Sequence, residues 1–120
     1  MNDRHDANLS RPGLRITSRT VGGVRVVEAA GEVDLVTAPA LRTALLDALA
    51  ESPGGLCVVD LTGVTFLDSA GLTTLIEVNQ RARSLRVVVG SNRPVIRPIQ
   101  LTGRDGVLAL YGSVTEALAA

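Results

Sequence analysis

Near the start of the chain, apolar and polar side chains take turns with the two-residue period of a strand covered on one face. Leu14, Ile16 and Ser18 alternate with charged or polar neighbours, Gly22-Gly23 interrupts, and residues 24–28 resume the pattern. This predicts a β-hairpin, and since no helix follows the glycine pair directly, the pair reads as a turn rather than a nucleotide loop. From residue 37 the period lengthens. Leu41, Ala44, Leu45, Ala48 and Leu49 recur at helical spacing, with Thr37 placed to cap and Pro39 in the first turn. A helix is predicted over 37–50, closed by Ser52-Pro53-Gly54-Gly55. Residues 56–61 are a short apolar run between turn signals, read as a buried strand. A second helix spans 68–83, with Leu72, Leu75, Ile76 and Ala82 near one face, and 85–90 is another buried strand. Ser91 or Asn92 caps a third helix with Pro94 in its first turn; Pro98, deeper inside, removes a hydrogen bond and predicts a kink or 3₁₀ turn there. Gly103 and Gly106 break the chain, 107–110 is a short extended piece, and Ser113 starts a final helix.

This order implies an α/β domain: a mixed sheet of about four strands opened by the hairpin, with about four helices packed mainly on one side. The strand–helix–strand crossovers should be right-handed. Residues 1–12 are polar and read as a flexible tail, and 13–120 as one domain without repeat or linker. With Phe66 and Tyr111 the only aromatics, the core must come from Val, Leu, Ile and Ala. Both aromatics are expected to pack, as is Cys57 in its buried strand.

Composition then removes whole classes of chemistry. All twelve basic residues are Arg, which excludes a P-loop, a Schiff base and any lysine-dependent receiver site. The one histidine, His5, lies in the tail, so the folded part has no histidine triad and no zinc site. A lone cysteine fits a reducing compartment, the first residues lack the apolar stretch of a signal peptide, and no run is long enough to span a membrane. The expectation is a cytoplasmic, non-enzymatic chain without metal or cofactor, and a monomer by default. Charge is uneven: residues 28–77 hold eight acids and only Arg42, whereas 78–104 hold six Arg and no acid. Two solvated faces would explain this, and so would an acidic surface steering toward a basic partner. The arginines lack interleaved aromatics, so no nucleic-acid partner is expected.

The informative stretch is Asp60-Leu61-Thr62-Gly63-Val64-Thr65-Phe66-Leu67-Asp68-Ser69-Ala70-Gly71-Leu72. It reads as a strand end, a polar turn, and a helix opening at an acid–hydroxyl pair, a place where α/β folds often carry function. Asp68 is the natural N-cap and Ser69 presents its hydroxyl outward; taken alone, this is a helix cap. Ser69 is a poor nucleophile, having neither a base nor a GxSxG elbow. Gly71 permits close approach by another chain, at about 1 kcal/mol of helix propensity. Gly31 is expected to meet a backbone need at the strand end.

Over residues 14–119 the chain resembles the STAS domain, specifically the anti-sigma factor antagonists. Three pieces carry the resemblance: Gly31-Glu32-Val33-Asp34; residues 64–72, similar to V-x-F-x-D-S-[SA]-G-L; and Leu101-Thr102-Gly103 through Leu110-Tyr111 with Thr115-Glu116-Ala117-Leu118. The resemblance implies a regulator that binds an anti-sigma factor which is also a serine kinase with a histidine-kinase-type ATP fold, thereby freeing a sigma factor. Phosphorylation of the signature serine ends binding, and a serine phosphatase restores it. Ser69 falls on the phosphoacceptor, Asp68 on the preceding acid and Asp34 on the acid near the same surface. Ala70 replaces a second serine. The implied partner contact comprises Asp34, Thr37, Asp68, Ser69, Ala70 and Gly71. Arg104, where the family usually has an apolar residue, and Pro98 depart from its pattern. Two alternatives stay open: a STAS scaffold subunit of a lipid-transport or stress-sensing assembly, and a small nucleotide-binding domain.

Overall fold

The computed structural model describes residues 12–120, so all but the last residue of the expected tail lies outside the described residues. Strands β1 (Leu14–Val21) and β2 (Val24–Val33) form the predicted antiparallel hairpin. Strands β3 (Leu56–Leu67), β4 (Ser84–Val88) and β5 (Ala109–Tyr111) then add in chain order, each parallel to its predecessor. Among the described residues the sheet has five strands, because the extended piece expected near 107–110 pairs with β4.

Every parallel step needs a crossover. Helices α1 (Ala38–Ala50), α2 (Ser69–Arg81) and α3 (Arg93–Leu101) supply them, and successive steps in one direction put all three on the same face. There Leu41, Leu45, Leu75 and Ile99 pack on Val27, Val59, Leu61 and Val87 in the main core. Cys57 is buried in that layer, and burial pushes its thiol pKa up to about 12. Helix α4 (Val114–Ala119) crosses to the opposite face, where Ala117 covers Val26, Val58 and Val88, with Tyr111 packed alongside. Ser113 Oγ caps this helix by accepting from the Glu116 N–H, while Glu116 accepts from the Gly112 N–H.

Helix α3 runs through Pro98 as α-helix, without a 3₁₀ turn at that residue. The N–H that Pro98 lacks would have met the carbonyl of Pro94, an exposed first-turn residue that water can serve. The 3₁₀ turn comes later, at Arg104–Gly106.

The larger correction concerns β3, which does not end at Leu61. It continues to Leu67 beside the far end of β2, and its register shifts twice. Two residues of β3 oppose Ala29 and one further residue is inserted before Phe66, each a one-residue bulge. Leu61, Val64 and Leu67 therefore all reach the main core at three-residue intervals. A bulge frees ladder carbonyls, and Asn92 takes two of them: its side-chain amide donates to Leu61 O at 2.8 Å and Val64 O at 2.7 Å. Asp60 steadies the same bend, accepting from the Thr62 N–H and hydroxyl at 3.0 and 2.8 Å.

Gly31 meets the expected backbone need. Its φ of 119° suits glycine alone, and a Cβ there would collide with the Gly13 carbonyl, which accepts from the Glu32 N–H at 2.8 Å. Gly31→Ala is expected to cost about 3 kcal/mol or more from strain and collision together, read as a lower denaturation midpoint. An unchanged midpoint would count against this reading of the strand end.

Candidate functional site

The ends of β2 and β3 lie side by side, Val33 opposite Leu67, and the Asp68 N–H donates to Val33 O at 3.1 Å. The turn leaving β2 and the start of α2 therefore form one surface. Asp68 is the N-cap foreseen, extended at φ −100° and ψ −170°, with Oδ1 accepting from the Ala70 and Gly71 N–H groups at 2.9 and 3.1 Å. This fixes Ser69 as the first helical residue with its side chain exposed; among the described residues its hydroxyl has no hydrogen-bond partner.

The turn from Asp34 to Thr37 is pinned from within. Asp34 Oδ1 accepts from the Val36 and Thr37 N–H groups, both at 3.0 Å. The Thr37 hydroxyl donates to Glu32 O at 2.8 Å and accepts from the Asp34 N–H at 2.9 Å. The Thr37 N–H is the leading reason the Asp34 carboxyl is held below the usual pKa, with partial desolvation opposing it. The folded state thus favours ionised Asp34. Its stabilisation is complete above the ordinary aspartate range and is lost as pH falls through the lowered folded value. Urea midpoints from pH 7 to pH 2 should fall further for the wild type than for Asp34→Asn; equal losses would show that Asp34 carries no such linkage.

Two residues of the expected contact are covered in the folded chain. Thr37 is buried, 2% exposed, and makes no side-chain cap to α1; its hydroxyl turns back to brace the turn. Gly71 is also covered, and the close approach it permits is internal. A Cβ there would stand 2.5 Å from Leu67 Cδ1 and 2.7 Å from Val33 Cγ1. Asp34, Asp68 and Ala70 are partly exposed, so with Ser69 four of the six named residues remain reachable.

The structure adds residues that sequence reasoning missed. Holding the turn in place leaves Leu35 and Val36 77% and 78% exposed, and Phe66, expected to pack, is 48% exposed. An apolar pair beside a braced Asx-type turn was the available signal. Leu35, Ala38 and Arg42 form one wall of a groove of about 350 Å³ whose other wall is Ser69, Thr73 and Glu77. On the far side of α2, a second groove of about 310 Å³ runs from Ser69 past Leu72 and Ile76 to Thr102 and Arg104. Ser69 thus stands on a ridge between two grooves. The acidic balance of this region is partly offset: Arg42 pairs with Glu77 at 3.6 Å. Arg25 is buried, donating to Thr20 Oγ1 at 2.8 Å and facing Glu51 at 3.5 Å.

Among the described residues, no group of three or more His, Cys, Asp or Glu is placed to hold a metal ion. Nor is any helix among them long and apolar enough to cross a membrane. The arrangement offers an exposed hydroxyl at a capped helix start, across a groove from the exposed Leu35.

The STAS domain profile matches residues 15–117. The chain belongs to the STAS domain family. It is 36% identical over 113 residues to the anti-sigma-F factor antagonist RsfB of Mycobacterium tuberculosis, covering 92% of each chain. Among solved structures it resembles an anti-sigma factor antagonist from Mycobacterium paratuberculosis, with a TM-score of 0.82 and 35% identity over 92% of this chain and 95% of that one. A Thermotoga maritima protein, TM1081, shares the fold at a TM-score of 0.72 and 19% identity, over 87% and 92% of the two chains.

Proposed function

We propose that this chain is an anti-sigma factor antagonist: it docks an anti-sigma factor that is also a serine kinase, through the surface around Ser69, and so releases a sigma factor. Phosphorylation of Ser69 ends the docking, and a serine phosphatase restores it. The observation that carries this reading is the exposed Ser69 hydroxyl, unbonded among the described residues, on a ridge beside the pinned Leu35–Val36 turn. The names of relatives more than 30% identical over nearly the whole chain support it.

The physics of a switch at this point is straightforward. Phosphate adds a charge of roughly −1.5 to −2 at neutral pH. Asp68 adjoins it, and Glu77 shares its groove with Arg42, so the added charge stands beside like charge as well as opposite charge. A partner packed over the ridge would have to desolvate the group, at a cost of several kcal/mol if nothing pairs with it.

Incubating the chain with its cognate kinase and ATP, then mapping phosphate by mass spectrometry, should place the modification on Ser69. Phosphate on Thr73 or Thr74 would move the site. With Ser69→Ala as bait in native lysate, the expected catch is the kinase, whereas stable recovery of much larger subunits without a kinase would favour the scaffold role. Leu35 and Val36 are each expected to contribute about 1.5 kcal/mol or more on burial at the contact. Replacing both by Ser should weaken binding at least tenfold and leave thermal stability nearly unchanged, because neither supports the core.

A further inference from the structure

Ser69 and Arg42 face the same groove from opposite walls, one on α2 and the other on α1. Among the described residues, the one ion pair of Arg42 is with Glu77, through Nε at 3.6 Å, and both side chains are well exposed, at 38% and 49%. Such a pair is held weakly. Neither terminal nitrogen of Arg42 has a hydrogen bond among those residues, so its fork is available. Of the helix's own first-turn donors, Asp68 already occupies the Ala70 and Gly71 N–H groups, which leaves a phosphate only the uncharged Ser69 N–H. A phosphate on Ser69 would have to find its counter-charge elsewhere.

We infer that a phosphate on Ser69 is captured within the same chain by the Arg42 guanidinium, which leaves Glu77 and swings across the groove between α1 and α2. This rests on Ser69 being the phosphoacceptor, as proposed above. A guanidinium meets phosphate with two parallel charge-assisted hydrogen bonds, and the phosphate carries more charge than the carboxylate it displaces. The exchange is therefore favourable. Arg104 borders Ser69 from the other groove, but it opens the short turn Arg104–Gly106 beside its own acid, Asp105, whereas Arg42 projects from a packed helix. The consequence is that modification acts by shape as well as charge. The arm of Arg42 fills the groove that a docking partner would enter, and freed Glu77, which also borders the second groove, adds an acid on that side.

The test uses the full chain with phosphoserine installed at position 69 during synthesis by nonsense suppression, followed by pH titration with ³¹P NMR. The second phosphate pKa should lie about half a unit or more lower in the otherwise wild-type chain than in Arg42→Gln, and the gap should shrink in high salt. Arg42→Lys should restore part of it. In the unsubstituted chain, the Arg42 Nε–H signal should move between the bare and phosphorylated forms, a readout that needs no variant. Equal pKa values in wild type and Arg42→Gln with a stationary Arg42 signal would overturn the capture, as would a shift produced by Arg104→Gln instead. Because the phosphate is installed without a kinase, such a failure leaves the modification of Ser69 to the separate mass mapping.

Discussion

Ser69→Glu is expected to bind the proposed anti-sigma kinase at least tenfold more weakly than Ser69→Ala, and phosphorylated wild type about a hundredfold more weakly. The order follows from charge. Glutamate adds a single negative charge on a flexible stem, whereas phosphate adds nearly two and three strong acceptors at a fixed point. An unpaired glutamate costs several kcal/mol to desolvate, phosphate held by Arg42 also blocks the groove, and each 1.4 kcal/mol is tenfold in affinity, so either group can cancel a modest interface. Alanine removes only a hydroxyl that, among the described residues, bonds nothing, so its fold and docking should persist. Calorimetric titration of the three forms against the purified kinase provides the comparison. Equal affinities for the phosphorylated and bare chains would remove Ser69 from the switch altogether.

Asn92→Ala is expected to lower stability by about 2 kcal/mol or more, and the melting point by roughly 10 °C, although Asn92 stands outside the Ser69 surface. Its amide donates to two carbonyls of the bulged strand, Leu61 O and Val64 O, whose side chains are buried in the core. Truncation leaves two acceptors without a donor, each costing about 1–3 kcal/mol if water cannot enter. Since that strand ends where Ser69 begins, hydrogen exchange at Val64 through Leu67 should accelerate along with the loss of stability. A melting point within a degree of wild type would mean that the bulge holds itself without the clamp.

Much of the element order was legible because its signals are local. The helix from Ala38 to Ala50 follows from apolar spacing and Pro39, and the cap at Asp68 from an acid placed before a helical run. Even there, local rules mislead when a side chain has a better offer. Thr37 has the residue type of a cap, but its hydroxyl finds Glu32 O and the Asp34 N–H in the folded turn. The extension of the third strand was hidden for a different reason. With its bulges, core positions fall three apart at Leu61, Val64 and Leu67, a spacing that matches neither strand nor helix period and so read as a turn.

The candidate site divides along the same line. The chain's own order of residues determined that an acid-capped helix opens on a serine, that no histidine or lysine in the folded part can activate it, and that a STAS signature surrounds it, since all of these lie in contiguous stretches or in composition. Only the tertiary structure decided that Leu35, Val36 and Phe66 face water while Thr37 and Gly71 are covered, and that Arg42 and Arg104 border Ser69 from opposite sides. Exposure and facing depend on which distant strand or helix arrives alongside, and side chains 27 and 35 positions away in the chain become neighbours of Ser69 only once the sheet has ordered its strands.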